Sequence, residues 1–79
     1  MNMKSRRKKR VEIFPERRVR QTYKDIIRRD RYDLRNMREG QRRTYCLLHT
    51  ASLLGCSVET VRKKVPVDVH CSYTWNLIK

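Results

Sequence analysis

Apolar residues Val19, Tyr23, Ile26 or Ile27, Leu34 and Met37 recur at spacings of three, four or their sum. One face of an α-helix has that period, so the pattern predicts a helix over roughly residues 15–40. Pro15 suits its first turn, where the missing N–H is not needed. Thr22 with Asp25 three residues on offers a second, capping-box-like start. Gly40 is a natural residue to close the helix, with Arg38 at the negative end of its dipole. Asp25 with Arg29, and Arg29 with Asp33, add i,i+4 pairs worth about 0.3 kcal/mol each.

A second helix is expected from about Arg42 to Leu54, burying Tyr45, Leu47, Leu48, Ala51 and Leu54. Gly55, Cys56 and Ser57 interrupt it, and a third runs from Val58 to about Val65, where Pro66 stops it. The period then changes. Val67, Val69, Cys71, Tyr73, Trp75 and Leu77 occupy the odd positions, with Asp68, His70, Ser72, Thr74 and Asn76 between them. This alternation predicts a β-strand over residues 67–77. A lone strand is unstable, so it needs a partner. The candidates are "RVEIF" at residues 10–14, a bend that makes a wing, or the same strand of a second subunit in a homodimer.

Charge adds what the pattern alone does not carry. The 79 residues hold 21 Lys and Arg against 8 Asp and Glu, a formal +13. Residues 1–43 carry 17 basic and 6 acidic side chains, whereas residues 44–79 carry 4 and 2. Such a concentration of positive charge repels itself unless a polyanion is near, and it is the electrostatic footprint of nucleic-acid binding. With 38% hydrophobic residues the core is small, which argues against an enzyme with a walled pocket.

Two basic segments are candidates for phosphate. The first ten residues, "MNMKSRRKKR", lack apolar side chains beyond methionine and read as a disordered arm bearing Arg6, Arg7, Lys8, Lys9 and Arg10. In the first helix, Arg17, Arg20, Lys24, Arg28, Arg31, Arg35, Arg38 and Arg42 follow one another at steps of three or four. On an unbroken helix they would line one side for about seven turns. Seven of these eight are arginines, whose planar fork suits phosphate.

The stretch "TASLLGCSVETVRKKV" at residues 50–65 carries a more specific signal. Ala51 is small enough for two helices to approach, Gly55 permits a positive φ in a tight turn, and Ser57 can cap the next helix. Leu54, Cys56 and Val61 are apolar where such a corner must be buried. The stretch resembles helix-turn-helix regulators of the repressor, excisionase and resolvase type, over about 20 of the 79 residues. Lys64 falls where that family often has an aliphatic residue, so Val65 would take its place.

The resemblance implies a mainly α fold: a three-helix helix-turn-helix domain over residues 11–79, with the C-terminal strand or wing and the basic arm. It also implies that Ser57, Val58, Glu59, Arg62 and Lys63 face the major groove. Arg62 or Lys63 could donate to guanine and Glu59 accept from cytosine, while Thr60 and Lys64 join the phosphate contacts. The function expected is double-stranded DNA binding, as a transcriptional regulator or an accessory factor of a virus or mobile element. One alternative is an RNA-binding ribonucleoprotein component that uses the arginine helix. Another is a basic protein that docks on an acidic surface of a polymerase-like machine.

Other chemistry is weaker. Cys46, His49, His70 and Cys71 are the right types for zinc, but adjacent strand residues such as His70 and Cys71 point to opposite faces and would not converge. Tyr73 and Trp75 could stack on single-stranded bases, although on an alternating strand they read as core. No catalytic group, cofactor, metal or small-molecule substrate is expected. No apolar run is long enough to span a bilayer, and none follows the basic start as in a signal peptide. The expected location is the cytoplasm or the nucleoid, or the nucleus of a eukaryotic cell, where "RRKKR" resembles an import signal. Three cysteines in such a chain are expected to be reduced.

Overall fold

The computed structural model describes residues 14–78. The basic arm, with Arg6, Arg7, Lys8, Lys9 and Arg10, lies outside the described residues, as does "RVEIF" up to Ile13. Five helices follow one another: α1 (Glu16–Arg29), α2 (Arg31–Arg35), α3 (Glu39–Leu54), α4 (Val58–Lys64) and α5 (Val67–Leu77). Helix α1 packs against each of the other four, most extensively against α3.

The start of α1 is at Pro15, whose carbonyl accepts from Val19 N at 3.0 Å. Thr22 is no cap: it sits inside α1 and its hydroxyl donates to the Arg18 carbonyl. Val19, Tyr23, Ile26, Ile27 and Leu34 are fully buried, with Met37 packed on their edge. Each such aliphatic side chain contributes about 1.5–3 kcal/mol of burial, so this stripe anchors the fold.

The helix expected over residues 15–40 is two helices, not one. Asp30 leaves the helical path at φ −110°, and its carboxylate takes a fork from Arg29 (Nε 3.1 Å, Nη2 2.7 Å) and the Tyr45 hydroxyl at 2.6 Å. Arg29 therefore pairs with Asp30 rather than with Asp25 or Asp33. Nor does Gly40 close a helix. The N–H groups of Asn36 and Met37 close α2 on the Asp33 and Leu34 carbonyls, and α3 begins at Glu39. The Gln41 side chain accepts from Arg38 N at 3.1 Å, and Glu39 supplies negative charge to the first turn.

Helix α3 buries Cys46, Leu47, Thr50 and Ala51, whereas Leu48, expected inside, is 52% exposed. It ends at Gly55, whose φ is +74°. Ser57 caps α4 by accepting from Thr60 N at 3.2 Å. Val61 and Val65 are both fully buried, so Val65 does take the inward place left by Lys64. Gly55→Ala is expected to cost about 1–2 kcal/mol, because a Cβ is strained at positive φ. Ser57→Ala should cost about 1 kcal/mol through the lost cap. Urea midpoints measure both, and unchanged midpoints would show that the corner tolerates other backbone geometry.

The C-terminal strand or wing does not form: residues 67–77 are α5. No strand is present among the described residues, and the strand-paired homodimer loses its basis with it. The alternation was deceptive because a two-residue period contains four-residue spacings. Of the odd positions, Val69, Tyr73 and Leu77 pack on the core, while Val67, Cys71 and Trp75 face outward. The inward face is completed by His70, Thr74 and Ile78, at 1%, 8% and 6% exposure. Two of those three are polar, which hid the helical period.

Candidate nucleic-acid interface

The α3–turn–α4 corner holds α4 with one side inward and one outward. Val61 and Val65 fix the inward side, whereas Ser57, Glu59, Arg62 and Lys63 are exposed and Val58, Thr60 and Lys64 are half-buried. All five residues expected at base edges thus sit at the start or on the body of one short helix. Their chemistry is not equally available. The Ser57 hydroxyl is engaged with Thr60, N–H and hydroxyl both, and Glu59 forms an ion pair with Arg62. Lys63 is the exposed cation beside them.

The eight cations of the first helix are divided by the break at Asp30, and three of them close the ends of other helices. Arg20 Nε donates to the Lys64 carbonyl, the last residue of α4, at 2.9 Å. Arg35 Nη2 donates to the Ile78 carbonyl at the end of α5, at 2.8 Å. Arg42 Nε and Nη2 donate to the Leu34 and Arg35 carbonyls at the end of α2, at 2.6 and 3.2 Å. Helix C-termini carry unpaired carbonyls and partial negative charge, so a guanidinium there is well placed. Lys24 lies 5.5 Å from the half-buried Tyr73 ring, and Arg28 pairs with Asp25 at 3.5 Å. Arg31 lies 5.4 Å from the Tyr32 ring, and Arg17 and Arg38 are exposed.

A polar chain that the sequence pattern does not reveal links α1, α5 and α3. Tyr23 O–H donates to His70 Nδ1 at 2.6 Å, and His70 Nε2–H donates to Glu39 Oε2 at 2.7 Å. Neutral imidazole has one donor and one acceptor, and this tautomer satisfies both neighbours. Burial pushes the His70 pKa below its ordinary value, and the guanidinium groups of Arg43 and Arg42 push the same way, against the Glu39 carboxylate. Partial burial alone would raise Glu39, but hydrogen bonds from His70 and Arg42 outweigh it and hold its carboxyl low. Burial also raises Tyr23, and pushes the Cys46 thiol up to about 12. Cys46 is therefore a protonated core side chain, not a reactive thiol. Arg43 could have been found from spacing, since it shares the helical face of Leu47, Thr50 and Leu54.

Cys46, His49, His70 and Cys71 are not brought together: no group of three or more metal-ligand types gathers among the described residues. The ring of His49 stacks on Tyr45 at 4.0 Å. No helix among the described residues is long and apolar enough to cross a membrane. Compared with family models, curated proteins and solved structures, the chain matches none.

Proposed function

We propose that the chain is a nucleic-acid-binding protein that engages double-stranded DNA through α4, as a regulator or accessory factor. The observation that carries this reading is the corner itself. A left-handed glycine and a serine cap present Glu59, Arg62 and Lys63 outward in a chain of net charge +13. Phosphate contacts from the remaining cations supply affinity that falls with salt, and α4 supplies sequence preference. The reading that relies on a continuous arginine helix against folded RNA has less support. Its stripe is interrupted at Asp30, and Arg20, Arg35 and Arg42 are engaged at helix ends.

The test is fluorescence anisotropy with duplex DNA, single-stranded DNA and duplex RNA, for the full chain and for a variant with Glu59, Arg62 and Lys63 all changed to Ala. Duplex DNA affinity is expected to fall by about tenfold or more, since one base contact is worth ~1–3 kcal/mol. An equal, small loss for all three polymers would reduce α4 to a charged surface.

A further inference from the structure

Two aromatic side chains that a core would normally take are exposed on this protein: Trp75 on α5 at 68% and Tyr32 on α2 at 66%. Both lie near one arginine. The Arg35 guanidinium is 5.6 Å from the Tyr32 ring, and Arg35 lines the same groove as Trp75. That groove, of about 360 Å³, has Cys71, Trp75 and Ile78 among its residues from α5 and its C-terminal end, facing Arg35 of α2 and Glu39 and Arg42 of α3. We propose that this α2–α5 face is a binding site for an unpaired nucleobase, stacked against Trp75 with its phosphate near Arg35 and Arg31. The proposal rests on the nucleic-acid reading above and adds a second surface to it, distinct in residues from α4.

The chemistry of the groove selects a nucleotide over anionic groups that carry no ring. An indole face takes any nucleobase, because every base has a π-face to stack. On its α3 side the groove offers the Glu39 carboxylate, with the Arg42 guanidinium paired to it at 3.1 Å. Paired in this way, Glu39 repels an entering anion less than a lone carboxylate would, and it can accept from a ring N–H such as N3–H of thymine or uracil. Arg35 keeps its place through the bond from Nη2 to the Ile78 carbonyl, while a guanidinium has five N–H donors in all. A polyanion without rings would gain charge pairing here but make no use of Trp75. Duplex DNA keeps its base faces covered, so it cannot use the indole either.

Trp75 is the chain's single tryptophan, so its own emission reports the site. The protein is titrated with oligothymidylate and oligouridylate of about 12 nucleotides, within the ~4–16-nucleotide span of single-strand sites. Duplex DNA and polyaspartate of matched charge serve as the other arms, with anisotropy followed in parallel. Saturable quenching by the two single strands, much weaker with duplex and polyaspartate, is expected; the stronger of the two separates DNA from RNA as the source. Trp75→Ala should weaken single-strand affinity by about 5- to 150-fold, the effect of one stacked base, while duplex affinity changes by less than about twofold. Trp75→Phe should recover most of the loss in anisotropy, and circular dichroism checks that both variants fold. Single-strand binding that leaves Trp75 emission and the Ala variant unaffected overturns the site but spares the nucleic-acid reading. Equal quenching by polyaspartate overturns it in favour of an acidic protein partner. Absence of binding to every nucleic acid overturns both.

Discussion

His70→Ala is expected to remove roughly 3–5 kcal/mol of stability, the sum of a cavity and an orphaned hydroxyl. His70 is 1% exposed, and it ties α5 to α1 through Tyr23 and to α3 through Glu39. Its loss leaves the Tyr23 hydroxyl, itself fully buried, without that acceptor. Domains of this size have little stability in reserve, so urea unfolding should find the variant close to its midpoint before denaturant is added.

The same side chain sets an acid limit. The folded pKa of His70 lies below the unfolded value because burial disfavours the imidazolium. Above about pH 6.5, the ordinary histidine value, both states are neutral and the contribution is complete. As pH falls through that value the unfolded chain takes up a proton that the folded form refuses, and stability declines until the folded pKa is reached. The groups facing the ring are Tyr23 from α1 and Glu39, Arg42 and Arg43 from α3. Glu39 has a depressed pKa, so its contribution is lost further down, from the ordinary carboxylate value to the lower folded one. His70→Gln keeps a donor and an acceptor without the titration. It should flatten the decline just below pH 6.5 while being less stable at pH 7. A decline of unchanged shape in that variant would assign the acid limit to another group.

Arg42→Ala should cost about 2 kcal/mol, which lowers the melting temperature by about 8–16 °C for a chain of this size. Its guanidinium closes α2 on two carbonyls and pairs with Glu39, and the side chain is only 24% exposed. Arg42→Lys should recover little, because an ammonium cannot fork to those three acceptors at once. Lys63→Ala supplies the contrast. Lys63 is exposed on α4, so stability should change by no more than about 0.5 kcal/mol. Thermal unfolding by circular dichroism separates the two residues. Equal, small effects would return Arg42 to the pool of cations free to contact phosphate.

The residues that build the core were legible from spacing where apolar side chains did the burying. Val19, Tyr23, Ile26, Ile27 and Leu34 announced their stripe, and Gly55 and Ser57 announced the turn and cap between α3 and α4. These are local features: helical period, a residue that tolerates positive φ, a hydroxyl that satisfies an N–H two or three positions on. Net charge and its concentration in residues 1–43 are likewise properties of the chain itself. Tertiary structure decided the rest. Whether His70 and Thr74 are inside depends on partners 31 or more residues away for His70 and on α1 being there to pack against, so the period of α5 was unreadable without them. Which arginines reach carbonyls on other helices and which face solvent is a matter of where α2, α4 and α5 end relative to α1 and α3. Spacing along one helix says which cations are neighbours. It does not say what a long side chain finds at its tip, because that partner belongs to another part of the chain.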